Sequence, residues 1–201
     1  MDKIKNANIE GFVVLGHGYS KDLAHAFYHN YTMEGVDIET LKVIQNKYHL
    51  AIAVDENGLI LRGKRLTVNV DSKSFEVLKR PYYKDKNKVY YSDKFLILQQ
   101  ADSATFNIPE LSRITNIQSY AFDKNNAYYF DSKGKVRLIN NIDYESFQVL
   151  SSDYSKDKNR VYYKSTILEL ADPMSFHIPH SINPHVGKDA TNHFVQGVMR
   201  K

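Results

Sequence analysis

The sequence predicts an all-β protein, built as a tandem repeat of about six β-hairpin units with short helical turns and stacked as an open array. The main observation is a ten-residue phrase that recurs at residues 82–91, 120–129 and 154–163. Weaker copies bring the anchoring aspartates to six, at successive intervals of 33, 30, 38, 34 and 32 residues. A period in the thirties is typical of repeat proteins. These first-anchor aspartates are Asp22, Asp55, Asp85, Asp123, Asp157 and Asp189.

The first phrase predicts a hairpin in each unit. Its Asp-x-Asn start favours a tight turn, because these short side chains hydrogen-bond to nearby backbone, and losing such a cap is expected to cost about 1 kcal/mol. The Val-Tyr-Tyr that follows favours a strand, and turn-forming residues such as 92–94 precede a second apolar run. A lone hairpin is marginal in water, so neighbouring units should bury one another's aromatic faces. The open array is preferred to a closed, propeller-like ring because both terminal copies are degraded, as capping units are.

A second phrase, Asp-x-x-(Ser/Thr)-(Phe/Leu)-x-(Val/Ile), follows the first in five of the six units. Its aspartate is expected to accept a backbone N–H from two or three residues further on. The Ser or Thr is expected to make the reciprocal hydrogen bond, as in a capping box, which predicts one helical turn. The aromatic residue that follows is predicted to enter the core, and four such residues should be buried and equivalent: Phe75, Phe106, Phe147 and Phe176. The second-anchor aspartates are Asp37, Asp71, Asp102, Asp143 and Asp172.

The predicted organisation is one repeat domain spanning residues 1–201. Residues 1–18 match no unit and are expected to form an N-terminal cap, whereas residues 186–201 form a truncated terminal unit without a second phrase. The five units between them are predicted near residues 19–47, 48–81, 82–119, 120–153 and 154–185.

Composition excludes several classes of protein. The 201 residues are 42% hydrophobic and 25% charged, which is ordinary for a globular chain and argues against general disorder. A net charge of +4, with lysines interleaved among aspartates, is too small to predict nucleic-acid binding. There is no cysteine, and the longest early apolar stretch, residues 12–15, is far shorter than a signal-peptide core or a membrane span. We therefore expect a cytoplasmic protein with no membrane or nucleic-acid partner.

Candidate catalytic and metal-ligating residues are not expected to act as such. The Asp-x-Asn phrase resembles the start of a calcium loop, but no copy combines a glycine at position six with a glutamate at position twelve. His177, His180 and His185 lie within nine residues, without the convergence that zinc requires. The recurring carboxylates occupy equivalent positions, whereas acid–base catalysis needs unique groups with different pKa values. The sequence therefore predicts no enzyme, no catalytic residues, no metal and no cofactor.

Residues 85–91 and 157–163, each followed by Ala-Asp-(Ser/Pro)-x-(Ser/Thr)-Phe, resemble the bacterial DKNYY repeat family, which is named for that run. The resemblance is specific over residues 82–178 and weaker over 19–78 and 186–195. It implies a repeat protein and offers no catalytic residues to transfer. Some members of the family occur near bacterial toxin genes, which implies an immunity protein that binds and neutralises a toxin. The alternative is a scaffold or adaptor with another protein partner.

Function in a repeat protein is expected where the units differ, because residues that recur in every unit belong to the fold. The hairpin loops differ most, at residues 29–35, 62–65, 92–94, 130–135 and 164–166. Adjacent strand residues face opposite sides, so the outer tyrosine of each Tyr-Tyr pair should point away from the core. The predicted partner surface combines these tyrosines with nearby loop charges: Tyr91, Tyr129, Tyr163, Asp93, Lys94, Asp131, Lys133 and Lys135.

Two alternatives remain open for the tyrosine columns. The inner column, formed by Tyr90, Tyr128 and Tyr162, is nearly as well suited to face solvent as the outer one. The outer tyrosines can also simply cover the next unit with their hydroxyls in water. If the outer column binds the partner, replacing its three tyrosines with serine should weaken binding by about tenfold or more and leave the melting temperature nearly unchanged.

Overall fold

The structure, a computed structural model, describes residues 4, 7–109, 120–179, 183 and 185–200. It is an all-β fold of six small antiparallel sheets, and none of the sheets in these ranges closes into a barrel. Every sheet is a meander in which consecutive strands of the chain are hydrogen-bonded neighbours. The predicted all-β tandem repeat of hairpin units is therefore confirmed, and the separate sheets are consistent with an open array. His180, named as a candidate ligand, lies outside the described residues.

The six sheets contain three or four short strands each. Sheet 1 is formed by β1 Val13–Gly16, β2 Tyr19–Lys21, β3 Ala26–Tyr28 and β4 Tyr31–Met33. Sheet 2 is formed by β5 Lys42–Val43, β6 Ile52–Asp55, β7 Gly58–Leu61 and β8 Lys64–Arg65. Sheet 3 is formed by β9 Glu76–Val77, β10 Tyr82–Lys84, β11 Val89–Tyr91 and β12 Leu96–Ile97. Sheet 4 is formed by β13 Tyr120–Phe122, β14 Asn126–Phe130 and β15 Val136–Asn140. Sheet 5 is formed by β16 Gln148–Val149, β17 Tyr154–Lys156, β18 Val161–Tyr163 and β19 Thr166–Ile167. Sheet 6 is formed by β20 Val186–Lys188, β21 His193–Val195 and β22 Val198–Arg200. A turn of 3-10 helix, Tyr144–Ser146, precedes β16. In the described part of the chain, no helix is long and apolar enough to cross a membrane.

The chain divides into two compact regions, Met1–Leu78 with Tyr82–Tyr90 and Lys79–Pro81 with Tyr91–Lys201. Sheets 1 and 2 lie in the first region and sheets 4 to 6 in the second, and the division falls within sheet 3. Two arrangements recur inside both regions: a hydrogen-bonded pair of aspartates and a tyrosine that reaches into the next unit.

The short strand that follows a second phrase pairs with the hairpin of the next unit. In sheet 5, β16 is antiparallel to β17, with Gln148 opposite Lys156. In sheet 4 the corresponding contact is an isolated bridge between Asn107 and Phe122. The first strands of sheets 2, 3 and 5, namely β5, β9 and β16, therefore lie just before the start of the predicted units. In sheet 1 the corresponding first strand, β1, belongs to the predicted N-terminal cap.

A buried carboxylate ties the second phrase of one unit to the first phrase of the next. In sheet 5, Oδ1 of Asp157 accepts the backbone N–H groups of Asn159 and Arg160, both at 2.8 Å. Its Oδ2 accepts the backbone N–H of Asp143 at 3.2 Å and the hydroxyl of Tyr162 at 2.8 Å. We call this arrangement the paired-aspartate network. The same N–H to carboxylate bond joins four further pairs: Asp37–Asp55, Asp71–Asp85, Asp102–Asp123 and Asp172–Asp189.

The second-anchor aspartate forms the predicted capped turn. Asp143 accepts the backbone N–H of Ser146 at 3.2 Å and its hydroxyl at 2.6 Å. The Ser146 hydroxyl accepts the backbone N–H of Lys158 at 2.9 Å, and the Lys158 ammonium lies 2.7 Å from Asp143 Oδ2. The turn is therefore confirmed, and its hydrogen bonds extend to the following unit.

The first-anchor aspartates are far more buried than exposed turn caps, since all six are 2% exposed or less. Burial alone would raise the pKa of Asp85, but the backbone N–H of Asp71 and the hydroxyl of Tyr90 hold that pKa below its usual value. We therefore expect the loss of one of these carboxylates to cost more than the about 1 kcal/mol appropriate to an exposed cap. The Asp-x-Asn phrase predicts only donors close in sequence, whereas five of these carboxylates also accept the backbone N–H of an aspartate 14 to 21 residues earlier.

The core includes the predicted phenylalanine column and the inner tyrosine column. The inner tyrosines have no exposed surface, and each donates its hydroxyl to the first-anchor carboxylate of its own unit. The phenylalanines are 7% exposed or less, as predicted: Phe75, Phe106, Phe147 and Phe176. The inner tyrosines are Tyr90, Tyr128 and Tyr162.

A further tyrosine, three residues before the anchor, reaches into the next unit and is called here the latch tyrosine. The Tyr19 hydroxyl accepts the backbone N–H of Gly63 at 3.1 Å. Tyr154 repeats the arrangement, donating to the carbonyl of His185 at 3.2 Å and accepting the N–H of Gly197 at 3.0 Å. Burial raises the pKa of Tyr19 to about 12 although the Gly63 N–H opposes the change. Each of these latch tyrosines therefore holds the turn of the following unit, at Gly63 or Gly197, against its own unit.

The protein is expected to lose stability as the pH falls from about 4 toward about 2. The Ser74 hydroxyl and the Lys86 ammonium lower the pKa of Asp71 from 3.8 to about 2. Burial raises the pKa of Asp189, but the N–H of Asp172 and those of its own turn outweigh it and bring the pKa to about 2. Because the pKa of each of these carboxyls is lower in the folded state than in the unfolded state, its contribution to the free energy of unfolding is complete above the unfolded-state pKa. That contribution is lost as the pH falls through the folded-state pKa. Urea denaturation across this pH range measures the change, and a constant free energy of unfolding would contradict it.

Candidate partner-binding groove

A groove of about 350 Å³ lies where the variable loop of one unit meets the turn of the next. One wall is the loop between β14 and β15, and the other is the turn between β18 and β19. Four of its residues belong to the predicted partner surface: Tyr129, Asp131, Lys133 and Tyr163. The other lining residues are Ser132, Arg137, Lys164, Ser165 and Thr166.

Asp131 shapes the loop wall. Its Oδ1 accepts the backbone N–H groups of Lys133 and Lys135, both at 2.9 Å, and its Oδ2 accepts the Nε–H of Arg137 at 3.3 Å. The Lys135 N–H, more than any other group, lowers the pKa of Asp131. Gly134 has a φ of +77°, a conformation that glycine adopts without strain. The loop is therefore held in one conformation by its own hydrogen bonds, with both lysine side chains exposed.

The turn wall is built on Tyr163 and Lys164. The Lys164 ammonium lies 5.1 Å from the centroid of the Tyr163 ring, within cation–π range. The Tyr163 hydroxyl donates to Oδ2 of Asp153 at 3.4 Å, and burial together with this carboxylate raises the pKa of Tyr163 to about 12. The carbonyl of Lys164 accepts the hydroxyl of Tyr120 at 2.9 Å. The latch tyrosine of one unit thus positions the turn of the next.

The outer tyrosines do not form a free, solvent-facing column. Tyr129 is 6% exposed and packs edge-on against Tyr120, with ring centroids 5.0 Å apart. Tyr163 is half-buried, and a Cβ on Gly197 of the next unit would lie 2.5 Å from its ring. Tyr163 therefore covers part of the next unit, which is the alternative role considered for the outer tyrosines. We now expect the triple serine replacement, which also includes Tyr91, to lower the melting temperature, because it removes buried packing.

The remaining predicted residues lie outside the groove lining. Asp93 forms an exposed ion pair with Arg80, with 2.8 Å between Oδ1 and the guanidinium. Tyr91 is half-buried, and Lys94 is exposed. Lys135 contributes its backbone N–H to the loop wall through Asp131 but does not line the groove. The structure therefore brings four predicted residues of two adjacent units together in the groove, and the other four lie outside its lining.

Sequence reasoning missed two cationic residues of the groove, Arg137 and Lys164. Both lie in or beside loops that differ between the units, and Lys164 directly follows a Tyr-Tyr pair. The place of both residues in or beside a variable loop was the signal that could have identified them. Their convergence depends on the latch contact from Tyr120 to the next turn, which neither spacing nor composition contains.

The lining of the groove carries more cationic than anionic side chains. The lining includes three cationic side chains, those of Lys133, Arg137 and Lys164, and one carboxylate, that of Asp131. Three serine and threonine hydroxyls in the lining add further hydrogen-bond donors. Within the part of the chain that the structure describes, no group of three or more His, Cys, Asp or Glu side chains is arranged to hold a metal ion.

Comparison with known proteins places this repeat in a family. The DKNYY family model matches residues 1–132 and again residues 129–196, as two tandem segments. No curated protein and no solved structure matches the chain. Because the two family matches together span nearly the whole sequence, the chain belongs to the DKNYY family.

Proposed function

We propose that this protein is a non-catalytic, protein-binding repeat protein, whose groove between successive units binds a bacterial toxin and neutralises it. The observation that carries the binding role is the groove itself. Its loop wall is held by the hydrogen bonds of Asp131 and its turn wall by the latch contact from Tyr120 to Lys164. A surface ordered before its partner arrives loses little conformational entropy on binding.

The recurring carboxylates support a non-catalytic role. The oxygens of Asp85 and Asp157 accept backbone N–H groups and a tyrosine hydroxyl. A general acid or base works best with a pKa near the operating pH, whereas the pKa of Asp85 is held below its usual value. Support for a toxin as the partner comes from the family, some of whose members occur near toxin genes. A scaffold or adaptor role would use the same groove.

Affinity capture from the native host should recover a partner that depends on the groove. We expect Ser132→Trp to abolish capture, because Ser132 is an exposed lining residue and an indole there fills the groove. Thr67→Trp, at an exposed position in the first compact region, is the matched control and should capture normally. Mass spectrometry compares the eluates of the three proteins. A partner retained equally by Ser132→Trp would contradict binding through the groove.

The toxin role is tested with the captured partner. Expression of that partner alone should arrest growth of the host, and co-expression of this chain should restore growth. Co-expression of the Ser132→Trp variant should not restore it. A partner that is harmless when expressed alone would favour the scaffold or adaptor role.

A further inference from the structure

We propose that the groove recognises an acidic segment of its protein partner, in which aspartate or glutamate side chains bind the cationic groups of both walls. The inference rests on the proposed function, since it concerns the same groove, and it adds the chemistry of the partner. It starts from the charge of the lining, which includes three cationic side chains and one carboxylate.

The carboxylate in the lining is already satisfied. Asp131 accepts two backbone N–H groups and the Nε–H of Arg137, and its side chain is 15% exposed. It therefore competes weakly for the cationic groups that a partner would approach. Arg137 is 56% exposed and binds Asp131 through one of its five N–H donors, so the same guanidinium can also bind an incoming carboxylate.

The opposite wall presents a second fixed cation. The ammonium of Lys164 lies over the Tyr163 ring, and the backbone carbonyl of Lys164 is held by the hydroxyl of Tyr120. Ser165 in the same turn and Thr166 at the start of β19 supply further hydroxyl donors to the groove lining. Carboxylate oxygens accept hydrogen bonds from both ammonium and hydroxyl groups. Cations on the two walls therefore suit a segment with several acidic side chains better than a single anion.

The aromatic rings of the groove favour a peptide over single-stranded nucleic acid. Proteins that bind single strands stack bases on exposed aromatic faces. Tyr129 is 6% exposed and packs against Tyr120. Tyr163 has the Lys164 ammonium above its ring and packs against the turn that contains Gly197. These rings are occupied by contacts within the protein, so the groove offers charges and hydroxyls rather than stacking platforms.

Fluorescence anisotropy with a fluorescein-labelled oligoglutamate peptide tests the inference on the full chain. We expect binding at low salt that weakens as salt is raised. Lys133→Glu/Lys164→Glu should weaken it by about tenfold or more. Lys42→Glu/Lys73→Glu, which changes net charge equally at two exposed positions outside the groove, should remain within about twofold. Lys133→Gln/Lys164→Gln should give an intermediate loss, and thermal melts establish that each variant is folded.

Three results would overturn acidic recognition: no binding of the peptide, equal losses in the groove and control variants, or tighter groove-dependent binding of an oligothymidine of the same length. Failure of this inference is distinguishable from failure of the proposed function. A partner whose capture is lost with Ser132→Trp but unchanged with Lys133→Glu/Lys164→Glu overturns acidic recognition and leaves protein binding standing. Capture that is insensitive to Ser132→Trp overturns the groove as the binding site.

Discussion

Replacing Phe176 with alanine should lower the free energy of unfolding by about 3–5 kcal/mol. Its ring is 1% exposed and lies 5.5 Å from the ring of Tyr154 and 5.8 Å from that of Phe194, measured between centroids. The backbone of Gly187 closes another side, since a Cβ there would lie 2.3 Å from the Phe176 ring. Because rings and backbone of two successive units surround the site, the structure cannot collapse far enough to fill the cavity.

Urea denaturation followed by circular dichroism measures this loss. Phe176→Leu is the conservative apolar control, and it should cost less than Phe176→Ala because it deletes fewer buried atoms. The equivalent alanine replacements at Phe75, Phe106 and Phe147 should fall in the same range as Phe176→Ala, because all four occupy one column of the repeat. Losses under about 1 kcal/mol at three of these four positions would show that the repeat register is wrong.

Replacing Asp157 with alanine should also cost about 3–5 kcal/mol, well above the value for an exposed turn cap. The change leaves several donors without their acceptor: the backbone N–H groups of Asp143, Asn159 and Arg160 and the hydroxyl of Tyr162. Tyr162 has no exposed surface, so its hydroxyl cannot turn to water. An unsatisfied buried donor costs about 1–3 kcal/mol, which makes the loss of one shared acceptor large.

A double-mutant cycle tests the shared acceptor directly. Tyr162→Phe removes one of the orphaned donors, so Asp157→Ala/Tyr162→Phe should lose less stability than the sum of the two single changes. Asp157→Asn keeps one acceptor oxygen and the side-chain shape, and it should lie between wild type and Asp157→Ala. A loss near about 1 kcal/mol for Asp157→Ala, with additive behaviour in the cycle, would restore the interpretation as an exposed turn cap.

The repeat and its phenylalanine column could be predicted because their causes are local. The Asp-x-Asn turn, the alternation along a strand and the capped turn each involve residues within a few positions of one another. The burial of Phe147 and the capping of Ser146 by Asp143 follow from such short-range rules, and both are confirmed. Half of the predicted partner surface also converges on one groove, because the loops that differ between units follow equivalent strands.

The sequence by itself determined the all-β class, the number of units and the buried phenylalanine column, since these depend on periodicity and on contacts within one unit. The tertiary structure decided which aspartates pair, because Asp143 bonds to Asp157 14 residues on and Asp102 to Asp123 21 residues on, intervals with no fixed period. It also decided that Tyr129 is buried, and that Arg137 and Lys164 share a groove. Those outcomes depend on how one unit packs against the next, and that packing is fixed by long-range hydrogen bonds and burial rather than by any local pattern.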